Sequence, residues 1–229
     1  MESISAAQNW LDNLKTEGEF FRQGGYVPSS DITHLFLDAL GRPEKSFKKR
    51  IIIGGSAGKG TVAKLIEQVL LSQGKTTALI SSPHLQAITE RIRINGKLAS
   101  MSDWAEGILL VRDIAIQLGN NPTYYEANVL ASILVAKKYK VDYLVVEVGM
   151  GGDFDATHAI AGSRIAAVTF IGTDHREIFG TAKNTAHAKA GIFETPDLIA
   201  AFSAEKVYKD LLQARSKLPI KWIKGLVSI

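Results

Sequence analysis

The chain has 229 residues, 46% of them apolar and 22% charged, the balance of a globular domain and not of a disordered or fibrous chain. Its formal charge of +4 contains no dense basic tract beyond Lys48-Lys49-Arg50, so phosphate-bearing ligands suffice and no nucleic-acid partner is expected. The absence of cysteine excludes disulfides, thiolate nucleophiles and Cys-ligated metals; with no signal-peptide profile and no long apolar run, a cytoplasmic protein without a membrane span is the expectation.

In chain order, Ile4, Trp10, Leu11 and Leu14 are spaced for a short helix over 2–15, and Phe20, Phe21 and Gly24-Gly25 read as a loop. Ser29-Ser30-Asp31 begins a second helix, with Ile32, Leu35, Phe36 and Leu40 on one face and Gly41 as its stop. A turn at Arg42-Pro43-Glu44-Lys45 follows. Residues 1–45 read as a helical appendage packed on a main domain of residues 46–229.

The main domain opens with the β-branched run Ile51 to Ile53, which ends abruptly in glycines and is followed by Gly55-Ser56-Ala57-Gly58-Lys59-Gly60-Thr61. Val62, Leu65, Ile66, Val69 and Leu70 then fall on one helical face. Strand, glycine turn and helix form a phosphate-loop pattern: backbone N–H groups curl around an anion and the helix N-terminus adds its positive end. In that reading Lys59 reaches the outer phosphates and Thr61 offers a hydroxyl to Mg²⁺. The usual G-x4-G-K-[ST] spacing is not met, since Ile53 stands five before Gly58 and Gly60 separates Lys59 from Thr61. The plain alternative is an ordinary glycine-rich strand-to-helix turn.

Gly74 ends that helix, and Thr76 to Ser81 is a strand running into the polar loop Ser82-Pro83-His84-Leu85. Glu90 to Gly96, alternating and ending in Asn-Gly, suggests a hairpin or extended flap. Ser102 or Asp103 caps a helix to about Leu118, and Thr123-x-x-Glu126 is a capping box for the next, to about Tyr139. Glu126 is accordingly read as a cap before any ligand role. Tyr143 to Val148 is a buried-type strand carrying one carboxylate, Glu147, which is costly there unless it meets a cation or a donor. After the acidic, Gly-rich loop from Gly149 to His158, a strand from Arg164 to Ile171 opens into Gly172-Thr173-Asp174-His175. His175 follows a strand end as Ser82 and Glu147 do, leaving structural and ligand roles equally open. Thr181 to Lys189 is a helix, Thr195-Pro196 a turn, Leu198 to Phe202 a strand, Ser203 to about Lys217 a helix, and Ile220 to Val227 a last strand.

This alternation predicts an α/β fold, a doubly wound, mostly parallel sheet with helices on both faces. Lys59, Thr61, Ser82, Glu147 and His175 all follow strands, so one edge of the sheet gathers them. Hydroxyl, carboxylate and phosphate oxygens suit Mg²⁺, and a histidine leans slightly toward Mn²⁺.

Several stretches together resemble the folylpolyglutamate synthases and dihydrofolate synthases of the Mur ligase superfamily. Gly55 to Thr61 is similar to that family's G-T-N-G-K-G-S loop, Ser82 to Leu85 to its S-P-H-L, Glu90 to Ile92 to its E-R-I, and Thr123 to Glu126 to its T-x-F-E. Glu147 to Thr157 resembles E-V-G-x-G-G-R-x-D-A-T, Ile171 to Gly180 resembles I-G-x-D-H-x-x-x-L-G, and Lys189 to Ile192 ends its E-K-A-G-I. The resemblance implies the P-loop-like central domain of a Mur ligase and an ATP-dependent carboxylate–amine ligation: a folate- or dihydropteroate-type carboxylate becomes an acyl phosphate that the amine of glutamate attacks. By motif, Gly55, Ser56, Gly58, Lys59, Gly60 and Thr61 hold ATP. Thr61, Ser82 and Glu147 serve a first metal ion and His175 a second. Lys59, His175 and Lys189 are the implied catalytic set, Lys189 matching a lysine that many members carbamylate.

Departures accompany the match. Ala57 replaces Asn, His158 replaces the Asn after D-A-T, Ala188 replaces Glu, and Asp153 replaces Arg, a charge reversal expected to cost on the order of a few kcal/mol beside a polyanion unless a metal offsets it. The family's C-terminal glutamate-binding domain is expected to be absent from this chain, supplied in a longer form or by a partner chain. Two other function classes remain: a nucleotide-binding module without ligase activity, and a phosphotransferase or NTPase of unrelated substrate.

Overall fold

A computed structural model describes residues 2–16, 30–160, 164–172, 174–193, 197–201 and 206–223. The loop expected around Phe20 to Gly25, the turn at Thr195-Pro196, the cap at Ser203 and the strand residues beyond 223 lie outside the described residues. The elements are α1 (Glu2–Asp12), α2 (Asp31–Ala39), β1 (Lys49–Gly54), α3 (Lys59–Ser72), β2 (Thr77–Ile80), β3 (Ile92–Ile94), β4 (Lys97–Leu98), α4 (Met101–Leu118), α5 (Tyr124–Lys138), β5 (Tyr143–Glu147), β6 (Arg164–Val168), α6 (Arg176–Phe179), α7 (Ala182–Lys189), β7 (Leu198–Ala201), α8 (Lys206–Arg215) and β8 (Lys221–Trp222).

The strands form one sheet in the order β4-β3-β2-β5-β1-β6-β7-β8. β2, β5, β1, β6, β7 and β8 run parallel, and β3 and β4 fold back antiparallel at one edge. β1 lies between β5 and β6, which places the β1, β2, β5 and β6 loops side by side at one end of the sheet. The hairpin expected from Asn95-Gly96 is present, both residues having positive φ (48° and 79°), as a tight β3–β4 turn requires.

Alternation along each buried strand divides the core. Ile52, Ile80, Leu144, Val146 and Val168 face a large cluster that includes Leu11 of α1, Phe36 of α2, Trp104 of α4 and Leu130 of α5. Ile51, Ile53, Leu79 and Val145 face the other way, onto Ala63, Ile66 and Leu70 of α3. The first two helices thus share the main core instead of forming one of their own. Among the described residues no helix is long and apolar enough to cross a membrane.

Three local expectations need correction. Leu65 and Val69 of α3 are 61% and 55% exposed; the buried residues are Ala63 and Glu67, with Val62, Ile66 and Leu70 packed beside Ala63 and Glu67 paired with Arg93 of β3. Ser100, not Ser102 or Asp103, caps α4, its hydroxyl accepting the Asp103 N–H at 3.0 Å. The β6 strand ends at Val168; Thr169 N–H still donates to the Gly54 carbonyl (2.9 Å), while its hydroxyl turns onto the carbonyls of Gly54 and Ala57.

Candidate active site

The phosphate loop is bonded to the end of β6. Ser56 N–H donates to the Phe170 carbonyl (2.7 Å), Gly172 N–H donates to Ser56 Oγ (2.8 Å), and Thr169 Oγ1 donates to the Ala57 carbonyl (2.6 Å). Gly55 has φ +140°, and a Cβ there would lie 2.0 Å from Thr169 Oγ1, so no other residue fits. Gly58, φ +76°, caps α3, whose first residue is Lys59. Thr61 is exposed on the first turn, and Lys59 is half-buried. Lys59 and Thr61 therefore both stand in the first turn of the helix that the glycine loop opens.

Glu147 ends β5 opposite Ile53 of β1 and is 8% exposed. Ser82 N–H donates to its Oε2 at 3.4 Å, and a Cβ on Gly60 would sit 3.1 Å from the same oxygen. Burial pushes this carboxyl above the usual carboxylate range, against the opposing influence of the Ser82 amide, Lys59 and the Gly60 amide. Gly60, which breaks the common spacing, is the residue that lets the carboxylate rest against the phosphate-loop helix.

On the β6 side, Lys189 is 1% exposed and donates to Asp174 Oδ2 (2.9 Å) and to the Gly55 carbonyl (3.0 Å). Burial lowers the Lys189 pKa while Asp174 opposes it; burial raises Asp174, but hydrogen bonds from Ser56 and Lys189 outweigh it and hold the carboxyl below its ordinary range. His175, in the left-handed region at φ 53°, is half-exposed, 3.9 Å from Asp174 Oδ2 and edge-on to Phe179. The structure therefore joins Ser82 and Glu147 to the helix start, and groups Lys189, Asp174 and His175 on the other flank. Asp174 was missed in the sequence, although it stands at the same strand end as His175.

Asp153 corrects the concern over charge. Its carboxylate forms a bidentate pair with Arg215 of α8 (2.7 and 2.9 Å) and packs on Gly191, so it carries its own cation and needs no metal to offset it. Nothing local marks Arg215, 62 residues away, as its partner. Glu126 is a cap, as read: Thr123 and Glu126 exchange hydrogen bonds, and Thr33 of α2 donates to the same carboxylate.

Beyond Ser82, Glu90 accepts the backbone N–H groups of Leu85, Gln86 and Ala87 (2.8 to 2.9 Å), which fixes the Ser82–Ala87 loop. Arg91 donates to His84 Nδ1 (2.9 Å) and lies over the Tyr124 ring. A small cleft between this loop and α5 is lined by Ser82, Arg91, Tyr125, Asn128 and Glu147.

The description "Mur ligase middle domain" matches residues 53–224. The chain belongs to this Mur ligase family. The dihydrofolate synthase/folylpolyglutamate synthase of Buchnera aphidicola (Schizaphis graminum) is 32% identical over 178 residues, 74% of this chain and 42% of that protein. Its Escherichia coli K12 counterpart is 32% identical over 173 residues, 72% of this chain and 39% of that one. Among solved structures, E. coli FolC in complex with DHPP and ADP is 26% identical with a TM-score of 0.79, covering 96% of this chain and 51% of that chain. The Yersinia pestis bifunctional folylpolyglutamate synthase/dihydrofolate synthase complexed with AMPPNP and Mn ion is also 26% identical, with a TM-score of 0.78 and coverage of 96% and 51%. This Mur ligase chain thus spans about half the length, or less, of the relatives it matches.

Proposed function

We propose that this chain is the ATP-binding part of a carboxylate–amine ligase of the folylpolyglutamate/dihydrofolate synthase type, forming an acyl phosphate from a folate-type carboxylate for attack by glutamate. One observation carries the reading: the buried Glu147 carboxylate is seated against Gly60 in the first turn of the phosphate-loop helix, with Ser82 on its other side. A costly buried carboxylate beside a phosphate cradle and two hydroxyl residues matches how Mg²⁺ is held, by one or two carboxylates plus the phosphates themselves. Thr61, Ser82 and Glu147 would hold the first ion and His175 a second; Lys59 and the loop amides would hold the phosphates. Metal bound there would neutralise charge developing on the transferred phosphoryl group. Lys59 adds a cation at the start of the same helix. Glutamate would be held with the aid of a C-terminal domain, in the same polypeptide or a separate one, and residues 1–45 would serve as an appendage on the ATP-binding domain.

Carbamylation of Lys189 belongs to the same proposal. Its lowered pKa favours the neutral amine that reacts with CO₂, while Asp174 must yield its ion pair for the modification to form. Intact mass in bicarbonate against bicarbonate-free buffer reads it directly; an unchanged mass under both conditions removes the carbamate.

The function is tested by calorimetry of Mg²⁺-dependent ATP binding to the wild type and Lys59→Ala, with 7,8-dihydropteroate then added. Binding by the wild type alone, followed by phosphate release with the pterin, is expected. Equal binding by both proteins, or none by either, overturns the proposal for this chain.

A further inference from the structure

The family's T-x-F-E pattern carries phenylalanine where this chain has Tyr125, so the phenol hydroxyl is an addition to a ring already in the pattern. Both of its hydrogen-bonding capacities are used. It donates to Asp155 Oδ1 (3.2 Å) and accepts the Gly149 N–H (2.9 Å). Asp155 is buried; its other oxygen accepts the Met150 N–H (2.9 Å), and Thr157 donates to Oδ1 through its amide and its hydroxyl. A Cβ on Gly149 would stand 2.7 Å from both Cζ and the hydroxyl of Tyr125 and 3.0 Å from Asp155, so the close approach of this ring requires glycine there.

The place of these bonds is what gives them meaning. Val148 N–H donates to the Ile53 carbonyl (3.0 Å), the last bond of the β5–β1 ladder. Glu147 is therefore held from behind by the sheet, while the chain in front of it is held by Tyr125 at Gly149 and by Asp155 at Met150. We infer that the Tyr125 hydroxyl is a positioning group for Glu147: it pins the first residues beyond β5 and so keeps the Glu147 carboxylate on the phosphate-loop helix. The inference rests on the reading of Glu147 as the metal-side carboxylate.

Tyr125→Phe keeps the ring in the cleft and deletes only the hydroxyl. The Mg²⁺ concentration giving half-maximal ATP binding is measured for the wild type, Tyr125→Phe, Glu147→Gln and the double variant, with thermal unfolding of each. Loss of these two hydrogen bonds should raise the Mg²⁺ requirement about 3- to 10-fold while leaving ATP binding in EDTA unchanged. In the Glu147→Gln background the same change should have no further effect, a coupling that a merely structural role would not produce. If Glu147→Gln leaves the Mg²⁺ requirement untouched, the metal reading fails and this inference falls with it. If Glu147→Gln raises the requirement but Tyr125→Phe does not, or acts equally in both backgrounds, the positioning role alone is overturned. A second measurement needs no nucleotide: amide exchange across residues 147–152 should quicken in Tyr125→Phe, and unchanged exchange there sinks the inference even where no variant binds ATP.

Discussion

At Glu147 the physical costs are concentrated in one side chain. Burial raises its carboxyl, with the Ser82 amide, Lys59 and the Gly60 amide opposing. A folded-state pKa above the unfolded one favours the fold where the group is protonated, and that advantage is lost as pH rises through the folded value. Burial of this carboxyl thus works against the fold wherever the unfolded chain is ionised. Glu147→Gln is expected to raise Tm by about 2–4 °C in EDTA at pH 7, a gain of about 1 kcal/mol, while raising the Mg²⁺ requirement for ATP binding. A lower Tm in scanning calorimetry would show that the carboxylate has a compensating partner. Burial shifts Lys189 against its charged form as well, but there the charge has a partner of opposite sign in Asp174. Lys189→Ala strips Asp174 of its cation and the Gly55 carbonyl of its donor, at an expected cost of about 2–3 kcal/mol by urea denaturation. That figure is below the loss for a fully buried pair because Asp174 keeps 24% of its side chain exposed.

Among the elements, the β3–β4 hairpin and α3 are coupled through charge. Arg93 Nε pairs with Glu67 at 3.1 Å, the Glu67 side chain is fully buried, and Arg93 also donates to the Gly96 carbonyl across the turn. Arg93→Met should cost about 3–5 kcal/mol, because it leaves a buried carboxylate unpaired, and Glu67→Gln added to it should recover most of the loss. Equal stability of the single and double variants in urea titrations would remove the pair from the account. α4 and α5 are joined by Asp103, which receives hydrogen bonds from Ser100, Lys138 and Tyr139. Burial raises its pKa, but those donors outweigh it and bring it down to about 2. A depressed carboxylate contributes stability above its unfolded pKa and loses it as pH falls through the folded value. Stability should therefore decline from about pH 4 toward pH 2, and Asp103→Asn should flatten that part of the curve followed by circular dichroism.

Across the whole molecule, what could be read in the sequence was what has short range. Strand and helix positions, the Asn95-Gly96 turn, the Thr123–Glu126 cap and the convergence of Lys59, Ser82 and Glu147 after strands all follow from spacing within a few residues. Periodicity misjudged α3 in part: Val62, Ile66 and Leu70 pack on the sheet, whereas Leu65 and Val69 face outward and Glu67 is buried against Arg93 of another element. The sequence likewise could not show that Asp153 is matched by Arg215, or that Tyr125 reaches Gly149, since both contacts depend on how distant segments dock. Arg215→Ala should cost about 2–3 kcal/mol, and exchanging the two charges, Asp153→Arg with Arg215→Asp, should recover part of it; an exchanged protein no more stable than Arg215→Ala in urea would mean that the pair's geometry does not tolerate reversal. The strand order also bears on biosynthesis. β1 leaves the ribosome early, yet both of its neighbours, β5 and β6, are encoded 89 and more residues later. During that interval Ile51 to Ile53 form a β-branched segment with neither edge paired, the situation in which nascent chains associate wrongly. Truncated chains released before Tyr143 should bind hydrophobic dyes and sediment as aggregates, whereas chains extending through Val168 should not. The slow step in making this protein would then be the wait of one central strand for its partners.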